Sequence, residues 1–494
     1  MGIVIRQSIK GSVYSYLGAA IGFVNTGLLM PLLFDTNQVG LINILLAMSA
    51  IMAQFGTLGF VNVTTRLFPY FRKDKHHHGY AKLFLLFSFL GLTICLAAFF
   101  LLKDYIIATN IEKSPLLVKN IYYLIPMIFA SLYYLLFDGY LRMLYKASAS
   151  TFLKDLFLRI LIFAGLGLFY LGILDFKGFL QFYIIAFAAP AVIMFGYLLK
   201  TGEFSLQGSF KNMKTVLRKD IVNVALFGII SGFSRIAILN IDKYMVNHFL
   251  DLNATGIYAI AFFFGSMILV PGRALRRISS TVISEAHKSK DNNKMYDVYE
   301  KSSLSMFTVG AGLFVLIWGN INNIFNILPD VYETGKWVIF FIGLAYVINM
   351  LSGIGNQIIL YSKYYRHHSF IMLGALVLIV TLNIVLIPVY GMNGAAMATF
   401  LTILAERLFK WWFVYKRFGM QPYHSKHIMI LLASVVIYFV SRLIPSMSLI
   451  PDIIIRSALI IGLFLVFSKT FKVSLELNAV IDKLIQMASG KKKK

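Results

Sequence analysis

The chain has 494 residues, 59% of them hydrophobic and 14% charged, and a formal net charge of +25. A soluble domain would carry about a quarter charged residues, so a soluble globular enzyme is excluded. The apolar residues gather in blocks of about 20, long enough to cross the hydrocarbon core as helices. Stretches such as 371–388 lack the alternation of barrel strands, which excludes a spanning β-barrel.

The fold class expected is all-α, a polytopic membrane protein. In chain order the blocks predict about fourteen spanning helices, near 11–34, 39–64, 81–102, 119–141, 155–174, 179–199, 225–249, 255–275, 303–322, 335–361, 368–389, 393–414, 427–444 and 453–468. Arg6 and Lys10 precede the first block, which reads as a retained helix with the N-terminus inside. Of the 46 Lys and Arg, 37 then fall on cytoplasmic segments or helix ends and two at membrane depth. The external ones are Lys103, Lys113, Lys119, Lys177, Lys336, Arg442 and Arg456. This is the positive-inside asymmetry. It accounts for the net charge without a nucleic-acid partner. It puts both termini in the cytoplasm of a multi-pass protein of the cell inner (plasma) membrane.

Smaller features follow the same frame. The single Cys95 lies in an apolar run and can form no intramolecular disulfide. His76, His77 and His78 read as a solvated basic loop rather than a metal site. The run Lys491–Lys494 ends a basic tail, 469–494, suited to anionic lipid. Trp318 and Trp337, and Trp411 and Trp412, fit interfacial belts. External loops are too short for the catalytic acids of a glycosyltransferase or polymerase. No triad, metal cluster or nucleotide motif appears, so no catalytic residue, metal or cofactor is expected.

Sliding the chain by about 216 residues lays Asp35-x-Asn37-x-x-Gly40 on Asp251-x-Asn253-x-x-Gly256, and Asn110-Ile111 on Asn326-Ile327. The expected lobes are 11–206 and 227–422, with helices 427–468 appended. Each repeat has an even number of helices, so the lobes are parallel, the arrangement of alternating-access transporters.

Ionisable groups at membrane depth are functional candidates by default. On the seventh helix these are Arg235, Asp242 and Lys243, read as a cationic site for phosphate that Asp242 orients or neutralises. The alternative reading is a buried structural ion-pair network. Arg273, Arg276 and Arg277 give the eighth helix one basic face, suited to phosphate or to plain anchoring. Arg66, Asp138 and Arg142 are candidates for the cytoplasmic mouth. Asp155 with Arg159, and Glu406 with Lys410, read as structural i, i+4 pairs. In the first helix, Gly18 and Gly22 form a small packing face. Asn25, Gly27 and Pro31 invite a bend that could serve as a gate. Asn349, Asn356 and Gln357 are candidates to meet sugar hydroxyls.

Two segments carry a family resemblance. LNIVLIPVYGMNGAAMAT (382–399) and IDKYMVNHFLDLNATGIYAIAFFF (241–264) resemble polysaccharide transporters of the multidrug/oligosaccharidyl-lipid/polysaccharide (MOP) flippase superfamily. The resemblance implies a V-shaped two-lobe bundle. It also implies flipping of undecaprenyl-pyrophosphate-linked, O-antigen-like or capsular repeat units to the external leaflet. Fourteen helices are similar to the lipid II flippase branch, but the central arginines of that branch on helices 1 and 2 have no counterpart here beyond Arg66. The multidrug branch relies on acidic residues for cation coupling, a role open to Asp242. The partners expected are the lipid-linked oligosaccharide, membrane lipids and a glycan polymerase, with the chain itself a monomer.

Overall fold

The computed structural model describes residues 2–71, 80–202, 204, 206, 215–445, 447–473, 478 and 482. His76–His78 and Lys491–Lys494 lie outside the described residues. The described residues form helices and no strand. In chain order these are α1 (Gly2–Gly22), α2 (Met30–Leu33), α3 (Thr36–Gly56), α4 (Phe60–Phe71), α5 (Tyr80–Asn110), α6 (Pro115–Asn120), α7 (Leu124–Met143), α8 (Ala147–Thr151), α9 (Leu158–Tyr170) and α10 (Phe176–Lys200). Then come α11 (Thr215–Phe249), α12 (Leu252–Ser266), α13 (Leu269–Lys288), α14 (Asn292–Gly319), α15 (Ile321–Ile327), α16 (Lys336–Leu351), α17 (Gly355–Tyr361), α18 (Tyr365–Phe418), α19 (Ser425–Arg442) and α20 (Leu449–Thr470).

Among the described residues, 11 helical stretches are long and apolar enough to cross a membrane. Four of the expected spans take other forms. The span near 155–174 is α8 and α9 joined by a π-helical turn, Phe152–Phe157. The span near 255–275 is broken at Met267 between α12 and α13. The spans near 368–389 and 393–414 run together as α18, whose backbone turns at Gly391 (φ 58°, ψ −141°) three residues after Pro388. Glycine tolerates that conformation where other residues strain.

The contacts divide the chain into two compact units, one of residues 1–260 with 369–395 and one of 261–368 with 396–494. This division follows packing, whereas the boundaries at 206 and 227 follow the sequence repeat.

In the first unit the repeated motif has a local physical meaning. Asp35 caps α3, its carboxylate accepting from the Gln38 N–H at 2.8 Å. Asp251 caps α12 in the same way, accepting from the Ala254 N–H at 2.7 Å. The two glycines bring these helix starts together. A Cβ on Gly40 would lie 2.1 Å from the Leu252 carbonyl oxygen, and one on Gly256 would lie 1.9 Å from that of Thr36. Small residues allow this backbone approach in membrane helices. The core is aromatic, with Phe60, Phe68, Tyr80, Phe84 and Tyr140 all buried, and Thr64 and Tyr80 sharing a hydrogen bond of 2.6 Å.

In the second unit, Tyr299, Ile354, Ile358, Phe413 and Val414 form one core cluster. Val315, Ile437, Ile460 and Phe464 fasten α19 and α20 to α14. Beyond that apolar seam, a buried i, i+4 ion pair within α20, Arg456 to Asp452 at 2.7 Å, is tied to α19 through the Ser441 carbonyl and to α15 through Asn323.

Candidate functional site

The helix that bears Arg235 is set in place by glycines. A Cβ on Gly228 would lie 2.5 Å from Asn62 Nδ2, and one on Gly232 would lie 2.7 Å from Gln54 Nε2, so α11 presses against α3 and α4. Ser234 and Ala237 then point into the packing and are buried, while Arg235 is exposed. It stands midway along the apolar stretch Ile221–Phe249. It makes no hydrogen bond or ion pair with a described residue, and the Arg142 guanidinium lies near enough for its charge to be felt there. An uncompensated guanidinium facing lipid at that depth is very costly. The arrangement is affordable only if this face lines a wet cavity.

Asp242 is not the counter-ion of Arg235. It is buried, accepts from the Tyr258 hydroxyl at 2.9 Å and accepts from Asn383 Nδ2 at 2.9 Å. Burial of a carboxylate in an apolar helix demands such donors. The Asn383 Oδ1 atom beside it is buried without a partner. The Asp242 carboxylate and the Asn383 amide thus place hard oxygens side by side in this unit. Among the described residues, no group of three or more His, Cys, Asp or Glu side chains could hold a metal. Lys243 is half-buried on the same turn.

The candidate mouth residues separate. Asp138 and Arg142 form an i, i+4 pair at 2.9 Å, and Ser150 also donates to Asp138 at 2.6 Å. Arg66 is exposed on α4. The expected Asp155–Arg159 pair is not formed. Asp155 lies in the π-helical turn and Arg159 just beyond it in α9, and the wider winding between them takes i and i+4 off one face. Asp155 instead accepts from Ser15 at 2.6 Å. Lys154 lies over the Tyr134 ring at 4.3 Å.

The first helix also changes winding at the candidate gate, with a π-helical turn over Phe23–Leu29 that includes Asn25 and Gly27. Asn25 donates to the Arg159 carbonyl at 2.8 Å. Pro31 is the second residue of α2, directly after the π-helical turn. Gly18 and Gly22 face this region. A Cβ on Gly18 would lie 1.7 Å from the Asp155 carbonyl, and one on Gly22 would lie 3.4 Å from Arg159 Nε.

In the second unit, Arg276 donates to Asn349 Oδ1 at 2.7 Å, and Arg273 and Arg407 are near enough to act on it by charge. Arg273 is exposed, and the side chain of Arg277 lies outside the described residues. The side-chain oxygens of Asn349 and Asn356 are therefore both taken within the protein. Asn356 accepts from Lys410 at 2.6 Å and shares a 2.8 Å hydrogen bond with His368. The Glu406–Lys410 pair is formed, but it is buried and extended by Arg407 at 3.1 Å. Sequence reading missed Arg407, His368 and Lys154. The available signal for Arg407 and Lys154 was their place next to Glu406 and Asp155, whereas His368 lies 42 residues from Lys410 and nothing local pointed to it.

No family model matches the sequence, and no curated protein matches it either. Solved structures do. The chain is similar to the inward closed lipid II flippase MurJ, with a TM-score of 0.74 at 14% identity over 94% of this chain and 98% of that one. It is also similar to an outward-facing multidrug resistance transporter of the MATE family and MOP superfamily, with a TM-score of 0.60 at 12% identity over 84% and 95%. A MOP superfamily transporter from Pyrococcus furiosus, described by a reversed polarity of its binding pocket, gives 0.55 at 14% over 84% and 95%. At these identities the likeness is one of fold. The chain has the polytopic helical fold of MOP superfamily membrane transporters.

Proposed function

We propose that the protein flips a lipid-linked oligosaccharide, carried on undecaprenyl pyrophosphate, from the cytoplasmic to the external leaflet for surface polysaccharide assembly. The observation that carries this reading is Arg235, a cation at mid-membrane that makes no hydrogen bond or ion pair with a described residue, beside the charge of Arg142. A diphosphate head group supplies the missing counter-charge and accepts the forked hydrogen bonds of guanidinium. The second unit carries basic side chains of its own, Arg276 and Arg273. Flux follows from alternating access of the two repeats, with the π-helical turn at Asn25 and Gly27 as the pliable point of the first helix. The protein works in the inner membrane with both termini in the cytoplasm.

A second reading, a cation-coupled drug antiporter, is favoured by one observation: the buried Asp242 carboxylate beside the unpartnered Asn383 Oδ1. A deletion strain separates the two. Accumulation of lipid-linked oligosaccharide in the inner membrane with loss of surface glycan, both restored by the gene, supports the flippase. Unchanged glycan with new sensitivity to cationic drugs turns the assignment to the antiporter.

A further inference from the structure

The second unit contains a cavity of about 500 Å³ that none of the preceding roles uses, at the end of the unit where α14 gives way to α15 and α20 begins. Its floor is rigid. Arg456 pairs with Asp452 at 2.7 Å and donates to the Ser441 carbonyl at 2.5 Å. Asn323 donates to Asp452, and all three side chains are buried. Its rim is the opposite. Asp330, Glu333, Lys336 and Arg442 line it, and their side chains make no hydrogen bond or ion pair with a described residue. Asn322 and Asn326 line it too, exposed and equally uncommitted.

The internal repeat sharpens the contrast. Asn110, the counterpart of Asn326, is buried and accepts from Asn247 at 2.6 Å. The first repeat spends this amide on its own packing, and the second leaves it facing a cavity.

The lining balances three acids (Asp330, Glu333, Asp452) against three bases (Lys336, Arg442, Arg456). A phosphate would meet as much repulsion as attraction there. A neutral molecule dense in hydroxyls would meet donors and acceptors on every side, and the volume is within the range of small-molecule sites. We propose that this pocket binds an uncharged sugar of the glycan on the external side, apart from the diphosphate. The proposal rests on the flippase reading for its ligand and on the positive-inside orientation for its side.

The test uses the full-length protein in lipid nanodiscs. The probe is water-soluble oligosaccharide cut by mild acid from the surface polysaccharide of the source cell. Saturation-transfer NMR is expected to show sugar protons saturated by the wild type. The signal is lost in the Asn322→Ala/Asn326→Ala double variant, whose exposed positions leave melting unchanged. Excess inorganic pyrophosphate does not displace it. Absence of saturation, saturation that survives in the double variant, or displacement by pyrophosphate overturns the site. If the deletion strain accumulates lipid-linked oligosaccharide while no saturation is seen, the site falls and the flippase reading stands. If saturation is seen and lost as expected while the deletion leaves surface glycan intact, the flippase reading falls and the sugar site stands.

Discussion

Arg235 and Asp242 share a helix face and do opposite work. Arg235 has no counter-charge among the described residues. Arg235→Ala is therefore expected to abolish glycan transport while membrane abundance stays normal, read by surface glycan against a quantitative immunoblot. Arg235→Lys keeps the charge but not the forked donor set, and restores transport only in part. Asp242 is held by Tyr258 and Asn383. Asn383→Ala removes one donor to a buried carboxylate, a loss of about 1–3 kcal/mol, visible as a lower melting temperature in detergent. Both charged residues were legible from the sequence as ions in an apolar run. The partner of Asp242 was not, because Asn383 lies 141 residues away and nothing local links them.

Helices in this fold meet backbone to backbone. Gly40→Ala or Gly256→Ala places a methyl about 2 Å from a carbonyl oxygen, which α3 and α12 can relieve only by separating. Overpacking of this kind costs about 1–3 kcal/mol. Gly196→Ala, with nothing within 4 Å of the new methyl, is the matched control and should leave the protein no less stable, with a gain of at most about 0.5–1 kcal/mol from Ala replacing Gly inside a helix. On the second unit, Arg456→Met strands Asp452 in the packing, and removing one partner of a buried pair costs about 3–5 kcal/mol. The sequence placed Arg456 among the external charges, since a helix start looks the same whether its end is wet or packed. It gave the repeated Asp/Asn/Gly motif clearly, because a cap and a contact glycine must both sit at fixed offsets from a helix start. It misjudged Asp155 and Arg159 because a π-helical turn leaves no compositional mark and silently shifts the residues in it against those that follow.

At the scale of the whole molecule, the distribution of Lys and Arg predicts an orientation in the membrane. Cys95, the single cysteine, is buried, so the unmodified chain should resist a membrane-impermeant maleimide. Lys113→Cys should then label in intact cells, and Lys290→Cys only after permeabilisation; the reverse pattern would invert the topology and the direction of flipping. The helical architecture was legible because crossing a bilayer leaves helices and closed barrels as the only choices. The grouping of those helices was not, because compact packing ignores chain order.

That grouping bears on how the protein is made. The first unit needs residues 369–395, which a ribosome delivers only after residues 261–368, which pack elsewhere. Asn383 follows Asp242 by 141 positions, or about 7–28 s of synthesis at 5–20 residues per second. For that interval the nascent carboxylate has Tyr258 as its one donor of the mature pair, in a chain already entering the bilayer. The insertion machinery, or water drawn in with the helix, must shelter it until the late strand of sequence arrives.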